Sequence, residues 1–282
     1  ATTKCILEST TVDRGTTIRC CNYNVDYNEL REKLKANNIV VHHGKYIKDA
    51  MIINNYDYVR RIPGFQDGDF VVQDESSMLV GYIADAKEKD MVLDICAAPG
   101  GKTLHIADLT MDKAHITARD VSLKKISLID DNIERCGYDS IETEVWDALE
   151  LDESIVGKAD VVIADLPCSG LGIMGKKNDI KYRVTKEQLE ELVKLQRSIL
   201  MIANNYVKPG GTLVYSTCTI NIDENINNAR WFAENFPFEF SDISSYVPNT
   251  FNCNTSKEGY IAILPGICEC DGFFIAKFKR EK

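Results

Sequence analysis

DICAAPGGKT, Asp94 to Thr103, follows the apolar start MVL and runs on into LHIADL, so a short strand ends, turns on paired glycines and enters a helix. Glycines at a strand-to-helix turn let backbone N–H groups approach a bound molecule closely, with the positive end of the helix behind them. The alternation continues to the C-terminus. AHITARD, IETEVWD, VVIAD and GGTLVYSTC read as strands, LKKISLIDDNIERCG, EQLEELVKLQRSILMIANNYV and ENINNARWFAENF read as helices, and YIAILP and DGFFIAKFK close the chain. The β-branched VVIA suits a central parallel strand covered on both faces. Strands separated by helices of ten or more residues predict an α/β fold with a doubly wound, mostly parallel sheet.

The turn also narrows the choice of ligand. Its tail GGKT matches the end of a phosphate-binding P-loop, but the glycine required five positions earlier is Cys96, and no G-x-G-x-x-G is present. That leaves a cofactor without a pyrophosphate. Asp94, Asp120, Asp147 and Asp165 read as ends of four consecutive strands, where open α/β sheets hold their ligands, and a carboxylate at the end of the second strand accepts from ribose hydroxyls. Four acids in this register suit a ribose, an adenine amine and an amino-acid ammonium together, which describes S-adenosylmethionine.

Composition limits the classes open to the protein. At 282 residues the chain can bury one large core and a smaller one. No apolar run reaches a membrane span, and ATTKCILEST lacks the order of a signal peptide, so a cytoplasmic protein without a membrane partner is expected. The ten cysteines are scattered through apolar strands, as reduced thiols in a cytosol would be. Cys268-Glu269-Cys270 and Cys20-Cys21 lack the spacing of zinc knuckles and the four histidines form no helical pair, so no metal is expected. The net charge of −10 argues against a polyanion partner, but its distribution does not. Residues 1–65 carry ten Lys/Arg against seven Asp/Glu, and KKNDIKYR at 176–183 holds four cations and one acid. The chain divides near residue 70. Residues 1–70, with strand, helix and strand material in TTIRCCNYNV, DYNELREKLKANN and IVVHHGKYIKDAMIINN, read as a small α/β module, and 71–282 as the catalytic domain.

ADLPCSGLG, Ala164 to Gly172, places an acid and a thiol where a strand ends, and STCT puts a second thiol, Cys218, at the end of the next strand. Both thiols could face one site, and spacing alone allows either to act as a nucleophile.

DICAAPGGKT, ADLPCSGLG, YSTCT followed by ENINN, and DGFFIAKF together resemble the Sun/Fmu-type RNA (cytosine-5-)-methyltransferases, and within them the bacterial branch of 16S ribosomal RNA methyltransferase B, over residues of about 15 to 280. Asn178 and Tyr182 stand where that family more often has proline and tryptophan. The resemblance implies a class I methyltransferase fold with a seven-stranded sheet and a small N-terminal module that helps to hold RNA. It implies S-adenosylmethionine bound by Cys96, Ala97, Ala98, Pro99, Gly100, Gly101, Lys102, Asp120, Asp147 and Asp165. It assigns the covalent nucleophile to Cys218 and product release to Cys168, with Asp165 on the ring's N3 and amino edge and Lys102 in the same pocket. The implied partner is structured RNA, small-subunit ribosomal RNA before full assembly of the ribosome, met by a monomer. Transfer RNA, another ribosomal site and a non-catalytic cofactor-binding RNA chaperone are the alternatives. The antitermination-factor-like domain that begins many bacterial relatives has no counterpart here, and the first residue is Ala1, as in a fragment of a longer protein or a chain numbered from its first ordered residue.

Overall fold

The computed structural model describes residues 2–177, 179–251 and 253–282; Asn178 lies outside them. A short helix α1 (Thr2–Ser9) precedes a four-stranded antiparallel sheet of β1 (Thr16–Cys20), β2 (Val40–His43), β3 (Ala50–Asn54) and β4 (Phe70–Val72) in the order β2-β3-β1-β4. Helix α2 (Tyr27–Ala36) starts where the Asp26 carboxylate accepts from the Asn28 and Glu29 amides, a side-chain N-cap. It buries Leu30 and Leu34 against Ile18, Met51, Ile53 and Phe70. IVVHHGKYIKDAMIINN, expected as strand material, is the hairpin of β2 and β3, and the sheet closes with β4.

The second sheet follows α3 (Glu75–Ala84), whose N-cap Asp74 accepts from the Ser76 amide. Its strands are β5 (Met91–Asp94), β6 (His115–Asp120), β7 (Ile141–Val145), β8 (Ala159–Asp165), β9 (Val207–Thr217), β10 (Phe238–Phe240), β11 (Tyr260–Ile263) and β12 (Phe273–Arg280). They are connected by α4 (Gly101–Leu109), α5 (Leu123–Cys136), α6 (Ile180–Arg183), α7 (Lys186–Tyr206) and α8 (Ile226–Asn235). The path β10-β12-β9-β8-β5-β6-β7 has the expected seven strands, and β11 pairs with β12 as an eighth. Strands β7, β6, β5, β8 and β9 are parallel, whereas β12 runs antiparallel to β9, β10 and β11.

Alternation along the central strands fills both faces. In β8, Val161 and Ile163 join the core under α3, α4 and α5, while Val162 and Ala164 join the core under α7 and α8. Because β5 lies between β6 and β8, the chain leaves it toward β6 and later returns to its other side. This is the switch point, where a crevice opens at the carboxyl ends of the strands.

The first sheet is fastened to the second by buried polar contacts. Arg19 on β1 donates to Asp108 on α4 at 3.0 Å and to Gln73 at 2.9 Å, and both members of the ion pair are almost fully buried. The Glu75 carboxylate accepts from the amides of Lys45, Tyr46 and Ile47 at 2.7–3.0 Å. Among the described residues, no helix is long and apolar enough to cross a membrane.

Candidate functional site

The turn after β5 is fixed by four hydrogen bonds: Ala97 N to the Arg119 carbonyl at 2.9 Å, Gly100 N to the Ala97 carbonyl at 2.7 Å, Ala98 N to Asp120 Oδ2 at 3.0 Å, and Asn132 Nδ2 to the Pro99 carbonyl at 3.0 Å. Gly100 has φ +101°, a conformation that side chains rarely adopt, and a Cβ there would approach Ile129 to 3.3 Å. Helix α4 starts immediately afterwards, so its free amides face the crevice. A cavity of about 440 Å³ fills this crevice, within the ordinary size of small-molecule sites. Cys96, Ala97, Ala98, Pro99, Gly101, Lys102, Asp94, Asp165 and Cys218 line it, with Gln73 and Phe273.

The ends of β5, β8 and β9 bring the charged groups together. Lys102 Nζ donates to Asp165 Oδ2 at 2.5 Å, the Ser216 hydroxyl donates to Asp165 Oδ1 at 2.7 Å, and the Lys102 ammonium lies 5.3 Å from the centre of the Phe273 ring. Burial works against the charge on Lys102, but Asp165 and Asp94 more than offset it and raise its pKa. Asp94 accepts from the Thr103 hydroxyl at 2.7 Å through Oδ2, while its buried Oδ1 has no protein donor. Burial pushes the Asp94 carboxyl up to about 7, against the opposing effects of Thr103 and Lys102.

An acid whose folded pKa is raised contributes stability that is complete below its unfolded value and is lost as pH rises through the folded value. Asp94 should therefore cost the protein on its own about 2–4 kcal/mol between pH 4 and pH 8. Asp94→Asn is expected to remove that part of the slope, and urea melts of both proteins at pH 5 and pH 8 check it. Equal pH dependence in the two would mean that Asp94 is ionised throughout.

The two thiols meet beside this charged cluster. Cys168 Sγ lies 3.2 Å from Cys218 Sγ. Hydrogen bonding from Cys168 lowers the Cys218 pKa, helped by Lys102 and opposed by burial and Asp165, while the same bond and burial raise that of Cys168. Burial, with Asp120, Asp94 and Asp165, also pushes the Cys96 thiol up. Of the three thiols, Cys218 is thus the one set to ionise, and it lines the cavity. Cys168 lines a separate hollow with Ser169, Val184, Gln188, Leu192 and Leu195.

The residues expected from the sequence are not all gathered there. Asp94, Asp120 and Asp165 are the last residues of their strands, but β7 stops at Val145, two residues before Asp147. Asp147 caps its own turn by accepting from the Leu149 amide at 3.0 Å. The nearly buried Asp120 supports the turn rather than lining the cavity, and accepts also from the Val121 amide at 2.8 Å and from Lys125 at 2.9 Å. Lys176 is held by Asp74 at 2.9 Å and by Asp271 at 2.8 Å, which neutralises a cation expected to face RNA. Ser216, Gln73 and Phe273 were not anticipated, because each reads in sequence as an ordinary strand or loop residue.

Comparison with known proteins agrees with this geometry. The family described as 16S rRNA methyltransferase RsmB/F matches residues 82–279. The "Probable ribosomal RNA small subunit methyltransferase B" of Bacillus subtilis (strain 168) is 35% identical over 94% of this chain and 60% of its own. The ribosomal RNA small subunit methyltransferase F of Escherichia coli (strain SMS-3-5 / SECEC) is 33% identical over 76% of this chain and 46% of its own. The chain thus spans about half to three-fifths of the length of these relatives. The crystal structure of PH0851 superposes with a TM-score of 0.92 at 29% identity, over 99% of this chain and 62% of that one. That of NSun6 from Pyrococcus horikoshii with SFG shares the fold, with a TM-score of 0.87 at 20% identity, over 99% of this chain and 94% of that one. With the glycine turn, the Lys102–Asp165 pair and both thiols at the switch point of such a sheet, and with the family match extending from α3 to β12, the chain belongs to the RsmB/F family of 16S rRNA methyltransferases.

Proposed function

We propose that the protein methylates carbon 5 of cytosine in RNA, with S-adenosylmethionine as the methyl donor and Cys218 as the covalent nucleophile. The observation that carries this reading is the position of the Cys218 thiol in one cavity with Lys102 and Asp165, backed by a second thiol at 3.2 Å. The cofactor fits the residues present: the orphaned Asp94 oxygen suits an ammonium, the α4 amides suit a carboxylate, and Ala97–Pro99 form an uncharged wall. When bound, it supplies an electrophilic methyl group on sulfur.

Carbon 5 of cytosine is a poor nucleophile, so the Cys218 thiolate first adds to carbon 6 and pushes electron density onto carbon 5. Asp165, oriented by Lys102 and Ser216, holds the amino edge of the ring, and the Lys102 charge offsets the charge that builds on the ring as the thiolate adds. Once Cys218 is bonded to carbon 6 it no longer accepts from Cys168, so Cys168 releases its own proton to solvent and, after methylation of carbon 5, acts as the thiolate base that takes the proton there. The electrons of that C–H bond restore the double bond and expel Cys218 from carbon 6. The base must leave its stack to reach the cavity, which favours single-stranded or loop RNA.

Release of tritium from RNA labelled at carbon 5 of cytosine, dependent on S-adenosylmethionine, tests the reaction. Tight RNA binding without release would support the non-catalytic chaperone instead. The names of the relatives favour small-subunit ribosomal RNA over transfer RNA. Bisulfite sequencing of RNA from a deletion strain would identify the nucleotide.

Asp120→Ala is expected to weaken S-adenosylmethionine binding by roughly 1–3 kcal/mol, because the Ala98 amide loses its acceptor and the turn its shape. Calorimetry on the folded variant checks this, and unchanged affinity would remove Asp120 from the site. Residues 1–70 are the proposed RNA-holding module beside the catalytic portion (71–282). Reversing Arg60, Arg61, Lys177 and Lys181 together should weaken RNA binding and flatten its salt dependence. These four make no ion pair among the described residues, and Lys181 and Arg61 lie over the rings of the exposed Tyr182 and Tyr58. A salt titration showing parental affinity would reduce them to solvated charges.

A further inference from the structure

We infer that Glu224 is a positioning residue that locks the Cys168 loop against the Cys218 loop and so sets the distance between the two thiols. Glu224 lies between β9 and α8 and is fully buried. No lysine, arginine or histidine pairs with its carboxylate among the described residues. Burying a carboxylate in this way is unfavourable unless hydrogen bonds satisfy it, and here they converge from both loops. Oε2 accepts from the Ser169 amide at 2.9 Å and from Gln196 Nε2 at 3.0 Å. Oε1 accepts from the Ser169 hydroxyl at 2.6 Å and from Asn221 Nδ2 at 3.2 Å, with Thr219 at 3.4 Å.

These partners flank Cys168 on both sides and Cys218 on its C-terminal side. Ser169 follows Cys168, and Gln196 gives its other N–H to the carbonyl of Pro167, the residue before Cys168, at 2.9 Å. Thr219 follows Cys218, and its hydroxyl lies 2.7 Å from that of Ser169. Gln196 is itself held by Asn228 on α8, whose amide donates to Gln196 Oε1 at 2.8 Å, so α7 and α8 anchor the cluster. A carboxylate accepts from both sets at once, whereas an amide must keep its oxygen toward the Ser169 backbone N–H and turn its N–H groups toward the Ser169 hydroxyl, Thr219 and Asn221, which then have to reverse or flip. The carboxylate thus touches neither thiol, yet joins both neighbours of Cys168, Ser169 directly and Pro167 through Gln196, to Thr219 next to Cys218.

The inference rests on the reading of Cys168 and Cys218 as the reacting pair, but its test needs neither RNA nor cofactor. The rate of Cys218 alkylation by iodoacetamide, followed across pH by mass spectrometry of the Cys218 peptide, reports the ionisation of that thiol. Cys218 faces Cys168, Asp165 and Lys102. In Glu224→Gln the loops separate, Cys168 no longer donates to Cys218, and the pH midpoint should rise by about one unit, a tenfold lower rate at pH 7. Removing a buried negative charge would by itself move the midpoint down, so an upward shift distinguishes positioning from charge. Cys168→Ala should raise the midpoint similarly, and the double variant should rise no further than Cys168→Ala alone.

A lowered or unmoved midpoint in Glu224→Gln, no shift in Cys168→Ala, or additive shifts in the double variant would overturn the inference. Should Glu224→Gln fail to fold, Ser169→Ala removes the hydroxyl between Glu224 and Thr219, and must move the midpoint upward, though less, for the inference to stand. Failure of tritium release with these alkylation shifts intact would overturn the proposed reaction and leave the role of Glu224 standing.

Discussion

Cys218→Ala is expected to abolish turnover and to form no covalent species with RNA, while still binding both RNA and S-adenosylmethionine. Without a thiolate to add at carbon 6, carbon 5 keeps too little electron density to attack a sulfonium methyl, and the neighbouring groups supply no substitute. Lys102 and Asp165 are held by each other, and burial raises the pKa of both other thiols, Cys96 and Cys168. Loss of the nucleophile in a covalent enzyme can cost on the order of 10⁶ in turnover. Tritium release under single-turnover conditions checks the loss, and filter binding checks that the substrate is retained. Activity within tenfold of the parent would move the nucleophile elsewhere.

Cys168→Ala should fail at the other end of the reaction. Cys218 can still add and the methyl group can still be transferred, but the carbon 5 proton then has no thiolate base, and the adduct persists. A protein–RNA species that survives denaturing electrophoresis should accumulate toward one RNA per protein, only when S-adenosylmethionine is present. Losing the Cys168 hydrogen bond should also raise the pH needed for addition, since that bond lowers the Cys218 pKa. A trapped complex with Cys218→Ala and none with Cys168→Ala would exchange the two roles.

Much of the fold was legible because the central strands are written in β-branched residues with helices of ten or more residues between them. VVIAD and MVLD fall where β8 and β5 lie, and DICAAPGGKT forms the turn from strand to helix. The hairpin inside IVVHHGKYIKDAMIINN was hidden because its two turn residues, Gly44 and Asp49, stand at the ends of a six-residue connection and not together as a turn dipeptide. Strand β10 is three residues long, too short to show alternation.

At the site, the expected turn residues, Lys102, Asp165 and the thiol pair converge, but two carboxylates were read for their register and not for their partners. Asp147 overshoots its strand, and Asp120 is occupied by backbone amides and Lys125. Lys176 looked free because the acids that claim it, Asp74 and Asp271, are about a hundred residues away in either direction. Glu224 belongs to the quoted ENINN, yet an acid shortly before a helix reads as a solvated helix start, and only donors from distant loops reveal it as buried.

The buried pair of Arg19 and Asp108 bears on how such enzymes diverge. Asp108 also accepts from the Tyr23 amide at 2.8 Å and the Tyr138 hydroxyl at 3.2 Å, and Arg19 reaches Gln73, which itself lines the cavity. Stripping one partner from a buried ion pair costs roughly 3–5 kcal/mol, because the remaining charge has no water to turn to. The first sheet is therefore not a cassette that recombination can exchange freely between relatives. A graft survives only if arginine, aspartate and glutamine travel together; on the proposal that this sheet holds RNA, a change in RNA preference is more readily acquired on its outer face than by replacing it.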